Sequence, residues 1–123
     1  MREILFKAKR KDNGEWVEGD LLHTRHADVV LISDFKDQLF RCDGNTLCQY
    51  TGLTDKNGRK IWENDIVRNE KGDIGVVQWF EEHAAFMIWN KTKHYVCYLA
   101  ENDFSKIEIA GNEFDNAELL EVE

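Results

Sequence analysis

The sequence predicts a mostly β fold, a barrel or curled sheet, and three observations carry that prediction. Short apolar segments recur along the 123 residues, separated by turn signals about every 8–12 residues. Three of those signals, Asp12-Asn13-Gly14, Asp55-Lys56-Asn57-Gly58 and Glu70-Lys71-Gly72-Asp73, supply residues that tolerate the positive φ of tight reversals. Runs such as Val29-Val30-Leu31-Ile32 and Ile74-Gly75-Val76-Val77-Gln78-Trp79-Phe80 are rich in β-branched and aromatic side chains.

In chain order, Ile4, Phe6 and Ala8 alternate with Glu3, Lys7 and Lys9 as a half-buried strand does. Beyond the first turn, Trp16-Val17 leading to Leu21-Leu22 reads as the returning strand, and Ala27 to Ser33 as a buried one. Asp34 to Thr46 is polar and glycine-containing and reads as a loop joining two β subregions. Ile66-Val67, Ile74 to Phe80, Ala85 to Trp89, Tyr95 to Leu99, and Ile107 with Ile109 and Ala110 supply the later strands. Only Asn116 to Glu121 reads as a short C-terminal helix, with Asp115 or Asn116 as its cap and Glu118 in its first turn.

The size, 14.4 kDa, suits one domain, and roughly two thirds of the chain's surface can be buried at this length. With 42% hydrophobic, 11% aromatic and 33% charged residues, the composition is that of a globular domain with a very polar exterior. No apolar run approaches the ~20 residues of a membrane span, and the start lacks a signal peptide's apolar region. The expectation is a cytoplasmic protein without membrane contact. Cys42, Cys48 and Cys97 then read as reduced thiols. The net charge of −8 disfavours an electrostatic grip on nucleic acid, but it is unevenly spread. Residues 101–123 hold eight acids and one base (−7), which leaves 16 acids and 15 bases (−1) in the other 100 residues.

The most distinctive stretch runs from Tyr50 to Val67. Gly52 permits a bend, Asp55 can hydrogen-bond its own turn, Asn57-Gly58 reverses the chain, and Glu63-Asn64-Asp65 makes a second tight turn into Ile66-Val67. Ile61 and Trp62 read as core or rim anchors. With the opening Arg2-Glu3-Ile4-Leu5-Phe6-Lys7-Ala8, the Trp16-Val17-Glu18-Gly19-Asp20-Leu21 element, the Thr51-Gly52-Leu53-x-Asp55 block and the ending Ile107 to Leu120, the chain resembles the YopX family of phage and prophage proteins nearly end to end. The resemblance implies a mostly β fold with an SH3-like barrel component. The residues read above add N-terminal strands and a short C-terminal helix, in one domain over 1–123 with an N-terminal β subregion 1–48 and a barrel subregion 49–123. The resemblance implies no chemistry. Asn64 stands where the family usually has glycine and Ala117 where it commonly has proline; asparagine tolerates positive φ, and alanine fits a first helical turn.

No catalytic constellation emerges. His23 and His26, with Cys42 and Cys48, fit no common zinc spacing, and on a strand the two histidines would face opposite sides. Cys97 lies in an apolar strand, where burial makes a thiol inert, and Ser33 and Ser105 stand in no nucleophile motif. The acidic trio Asp55, Glu63 and Asp65 could hold a metal or do acid–base work, yet turn chemistry accounts for all three. Neither a cofactor nor a metal is expected. The segment Asn64 to Val77 resembles the hairpin of KOW-type barrels. Aromatic candidates (Trp62, Trp79, Phe80, Trp89) and basic clusters (Lys7, Lys9, Arg10, Lys11; Lys56, Arg59, Lys60) therefore keep a nucleic-acid-binding barrel as the alternative. The favoured expectation is a non-enzymatic accessory protein that binds a protein partner or itself. Its candidate interaction surface is Lys56, Arg59, Lys60 and Trp62, with Glu113, Asp115 and Glu118 of the acidic tail. A small metal-dependent enzyme ranks last.

Overall fold

A computed structural model describes residues 3–26, 28–90 and 95–121. Eleven strands run through them: β1 (Phe6–Lys9), β2 (Trp16–His23), β3 (Val29–Ser33), β4 (Leu39–Asp43), β5 (Cys48–Thr54), β6 (Lys60–Trp62), β7 (Asp65–Arg68), β8 (Ile74–Phe80), β9 (Ala85–Asn90), β10 (Tyr95–Tyr98) and β11 (Glu108–Asn112). The protein is mostly β, its strands paired antiparallel in two sheets. It forms two compact units, Met1–Tyr50 and Thr51–Glu123.

In the first unit β1 to β4 are a meander, and β1 also takes the start of β5, with Phe6 opposite Gln49. An isolated bridge between Arg10 and Cys42, and the Lys11 N–H donating to the Arg41 carbonyl at 2.9 Å, bring the end of β1 against β4. The alternation read from the sequence explains the core: Ala8, Val17, Val30, Ile32 and Cys42 turn inward, with Phe6, Leu21, Phe40 and Leu47 against them. β2 changes partners at Gly19. Trp16 to Gly19 pair with β1, while Asp20 to His23 pair with β3. Gly19 serves here for want of a side chain, since a Cβ would run into the Ser33 carbonyl oxygen.

In the second unit β5 continues into a hairpin with β6, and the remaining strands form a five-stranded sheet in the order β10-β9-β8-β7-β11. Its core is Ile61, Val67, Val77, Ile88, Leu99 and Ile107. No described pairing joins β10 to β11, so closure of this sheet into a barrel is not observed among the described residues. The C-terminal segment is a five-residue 3-10 helix, Ala117–Glu121, rather than an α-helix. Asn116 Oδ1 does not cap it but turns back to accept from the Asn112 N–H at 3.1 Å.

The stretch from Asp34 to Thr46, read as a loop, contains β4. The reason lies in its turn. Three hairpins use one device, an Asp or Asn whose Oδ1 accepts from the backbone N–H groups two and four residues on. Asp34 takes Lys36 and Gln38 at 2.9 Å each, Asp55 takes Asn57 and Arg59 at 2.9 Å each, and Asn69 takes Lys71 and Asp73 at 3.0 Å each. The fourth turn position has positive φ in all three: Asp37 (62°), Gly58 (77°) and Gly72 (84°). Glycine advertises the second and third turns in the sequence, whereas Asp37 conceals the first.

Two substitutions test this account. Asp37→Gly relieves the left-handed strain and raises stability by about 0.5–1 kcal/mol. Gly19→Ala lowers it by roughly 2–4 kcal/mol, because backbone must move to admit the methyl group. Denaturant titration followed by circular dichroism reads both.

Candidate functional site

The meander β8-β9-β10 concentrates the chain's aromatic residues. One of its faces carries Val77 and Ile88 into the core and ends in Trp79, 46% exposed, which stands opposite Phe86 and meets it edge to face at 5.2 Å. On the other face Trp89 stands opposite Val76 on one side and Val96 on the other, and Met87 opposite Tyr98. Phe80 packs edge-on to Trp89 at 6.3 Å and stacks on His83 at 6.3 Å. His83 comes from the 3-10 turn Glu81–His83, and Ala84 (φ 47°) then returns the chain to β9. His83 meets the Tyr98 ring at 5.7 Å, with its Nδ1 3.4 Å from the Tyr98 hydroxyl. Val96 is 50% and Tyr98 38% exposed, so the apolar face reaches solvent at β10.

Within the described residues of β8 to the turn after β10, the charged side chains have one sign. Among the described residues from 74 to 90 and 95 to 101, the acids are Glu81, Glu82 and Glu101, all exposed, and there is no lysine or arginine. Lys91 and Lys93 lie outside the described residues. A surface of rings and carboxylates suits apolar and cationic side chains; phosphate backbones need the opposite sign.

The sequence-derived candidates lie elsewhere, and they do not form one surface. Trp62 is a correction: it is 5% exposed, because it is the last residue of β6 and the Trp62 N–H is anchored to Asp65 Oδ2 at 2.8 Å, so its ring belongs to the interior. Lys56 is exposed but pairs with Glu108 at 3.4 Å, and the same carboxylate takes Arg68 at 3.1 Å. The Arg68 hydrogen bond, then Lys56, holds the Glu108 carboxyl below its ordinary value. Lys106 likewise meets Glu70 at 3.5 Å and Asp103 at 4.0 Å. Arg59 and Lys60 are exposed. Of the tail acids, Asp115 accepts from Asn112 Nδ2 at 3.1 Å and Glu118 is exposed in the 3-10 helix. Glu113 is half-buried beside Gln78 Nε2 at 3.5 Å, and burial pushes its carboxyl up. Part of the tail's charge thus neutralises the second unit's own cations.

Sequence reasoning picked out Trp79, Phe80 and Trp89 but missed His83, Val96 and Tyr98. Strand alternation held the signal, since Trp89, Val96 and Tyr98 share a face; the turn that delivers His83 had none. His23 ends β2 while His26 lies in the turn after it, and both are exposed, so the strand argument for their opposition does not apply. Cys97 is half-buried rather than buried, being near the sheet's end, while Cys42 is fully buried and desolvation raises its thiol. Among the described residues, no group of three His, Cys, Asp or Glu side chains is placed to hold a metal ion.

The signature carboxylates do structural work. Asp55, 5% exposed, receives Asn57 and Arg59 N–H on Oδ1 and, on Oδ2, the Ile109 N–H of β11 at 3.0 Å. Burial would raise its pKa, but the N–H groups of Ile109, Arg59 and Asn57 outweigh burial and hold it below the ordinary 3.8. A carboxyl with a lowered folded pKa contributes stability that is present above its unfolded value and lost as pH falls through the folded one. Asp55→Asn therefore costs about 2–4 kcal/mol near pH 7, where it leaves buried N–H groups poorly matched. The gap between parent and variant narrows below pH 3.8, as denaturant titrations across pH will read.

No curated protein matches the chain. The YopX protein family does: its profile matches residues 5–121, which takes in both units, the Asp55 turn and the aromatic face. By that match over nearly its whole length, the chain belongs to the YopX protein family.

Proposed function

We propose that the protein is a non-enzymatic interaction domain that docks a partner protein on the apolar face of β8-β10, in the cytoplasm of a phage- or prophage-bearing host. The observation that carries this reading is the exposed Val96 and Tyr98 joined to the Phe80–Trp89–His83 cluster, with acids and no lysine or arginine among the described residues 74–90 and 95–101. We read the second unit as SH3-like. Its support is the meander β7 to β10, a 3-10 turn Leu99–Glu101, and a last strand β11 that returns to pair with β7. A nucleic-acid-binding barrel is the weaker reading, because Lys56, Arg68 and Lys106 are matched by Glu108, Glu70 and Asp103.

Self-association is a second reading, favoured by β10 itself. It stands at the end of its sheet with the sequence Tyr-Val-Cys-Tyr and no charge, whereas β11 at the other end carries Glu108. Edge strands ordinarily carry a charge or a proline that discourages pairing.

Affinity capture from host cells, with nuclease, tests the proposal. Val96→Glu and Tyr98→Glu, both at exposed positions, should each abolish capture of the partner without changing the circular dichroism spectrum. The triple reversal Lys56→Glu, Arg59→Glu, Lys60→Glu should leave capture intact. Capture that survives both apolar substitutions, or that disappears with nuclease, overturns the proposal. Sedimentation velocity of the same variants reads the second reading, which predicts a parent dimer that Val96→Glu returns to monomer.

A further inference from the structure

The first unit carries a groove on elements that the β8-β10 reading does not use. Its walls include the rings of Trp16, Phe35 and Phe40, and Glu15, Glu18 and Asp34 line it as well. The one basic residue in the lining, Arg10, is neutralised by Asp12 through two bonds, Nε to Oδ1 at 2.9 Å and Nη2 to Oδ2 at 2.7 Å. Three acidic residues therefore line the groove with Arg10, and Lys7 stands opposite Glu18 in the β1-β2 register.

Its rings already draw cations. The Lys7 and Lys9 ammonium groups lie 4.6 and 5.4 Å from the Trp16 ring centre, and the Arg10 guanidinium lies 4.6 Å from that of Phe40. Phe35 differs. It is 74% exposed, and among the described residues it has no aromatic or cationic partner. Nor does it hang on a loose loop: Asp34 Oδ1 holds the Lys36 and Gln38 N–H groups, and the Asp34 N–H donates to the Gln38 carbonyl at 2.9 Å. The backbone that presents the ring is thereby ordered before any ligand arrives, which favours binding.

We infer that this groove binds an arginine or lysine side chain of an extended partner peptide, the aliphatic stem against Phe35 and the cationic head toward the carboxylates. Aromatic rings with an acidic surround are the chemistry that recognises such groups. The site is independent of the β8-β10 face, and the two can fail separately.

The test uses the full-length isotope-labelled chain and two blocked peptides, acetyl-Gly-Arg-Val-Arg-Gly-amide and its counterpart with glutamate for arginine. Nuclear magnetic resonance titration should move the resonances of Trp16, Phe35 and Phe40 with the arginine peptide and leave them with the glutamate one. Phe35→Ser, at an exposed position, should weaken binding roughly two- to fivefold. Glu18→Gln should weaken it severalfold, and Tyr98→Glu should leave it unchanged. No shift at these residues at millimolar peptide, equal response to both peptides, or full affinity in Phe35→Ser each overturns the inference.

Discussion

The buried carboxylate of Asp55 is the constraint on which the second unit depends. One oxygen closes the β5-β6 turn by taking the Asn57 and Arg59 N–H groups, and the other reaches 54 residues along the chain to the Ile109 N–H of β11. The adjacent Lys56 N–H donates to the Ile107 carbonyl at 2.8 Å and doubles the stitch. β11 in turn pairs with β7, β7 with β8, and so the sheet that ends in the aromatic face is tied to one side chain's hydrogen bonds. A second knot lies at Asn64. Its N–H donates to the Val77 carbonyl at 2.6 Å and its carbonyl accepts from the Glu113 N–H at 3.0 Å, at a φ of 73°. Asparagine here holds the left-handed conformation for which glycine is the usual choice.

These contacts give the acidic signature block its physical meaning. Asp55 and Asp65 spend oxygens on backbone N–H groups, which offsets the cost of burying a carboxylate in a β protein. The tail's charge is likewise divided in use. Glu108 and Asp103 meet lysines and an arginine of their own unit, Glu113 turns toward Gln78, and Asp115 braces Asn112. Other exposed acids stand beside aromatic rings: Glu81 and Glu82 next to His83, and Glu15 and Glu18 lining the groove with Trp16.

Strands whose pattern is local were readable in advance. β1, β3, β8, β9 and β10 are short alternating or apolar runs, and two of the three Asx-braced turns were visible through their glycines. β4 was not readable, because Asp37 takes the left-handed position without announcing it and Leu39-Phe40-Arg41-Cys42-Asp43 looks polar when its inward Cys42 is unknown. β6 is only three residues long and gains its place by pairing and by the Thr51 hydroxyl donating to the Ile61 carbonyl at 2.7 Å. Trp62 illustrates the same limit: a tryptophan two residues after Lys60 and next to Glu63 could stack on a ligand, and only its neighbours in space decide that it is buried.

By itself the sequence determined the mostly β class, the family resemblance, the turn roles of Asp55 and Asp65 and the uneven spread of charge. All of these are set by residue type and by spacings of a few residues, where side-chain alternation and turn chemistry act. Tertiary structure alone decided which aromatics face solvent, that Lys56 and Arg68 are matched by Glu108, and that His83 joins Phe80 and Tyr98. It also decided that Asp55 clasps β11. Those outcomes depend on which segments meet in space, and a shift of one residue in a strand's pairing turns that strand's side chains to the opposite face.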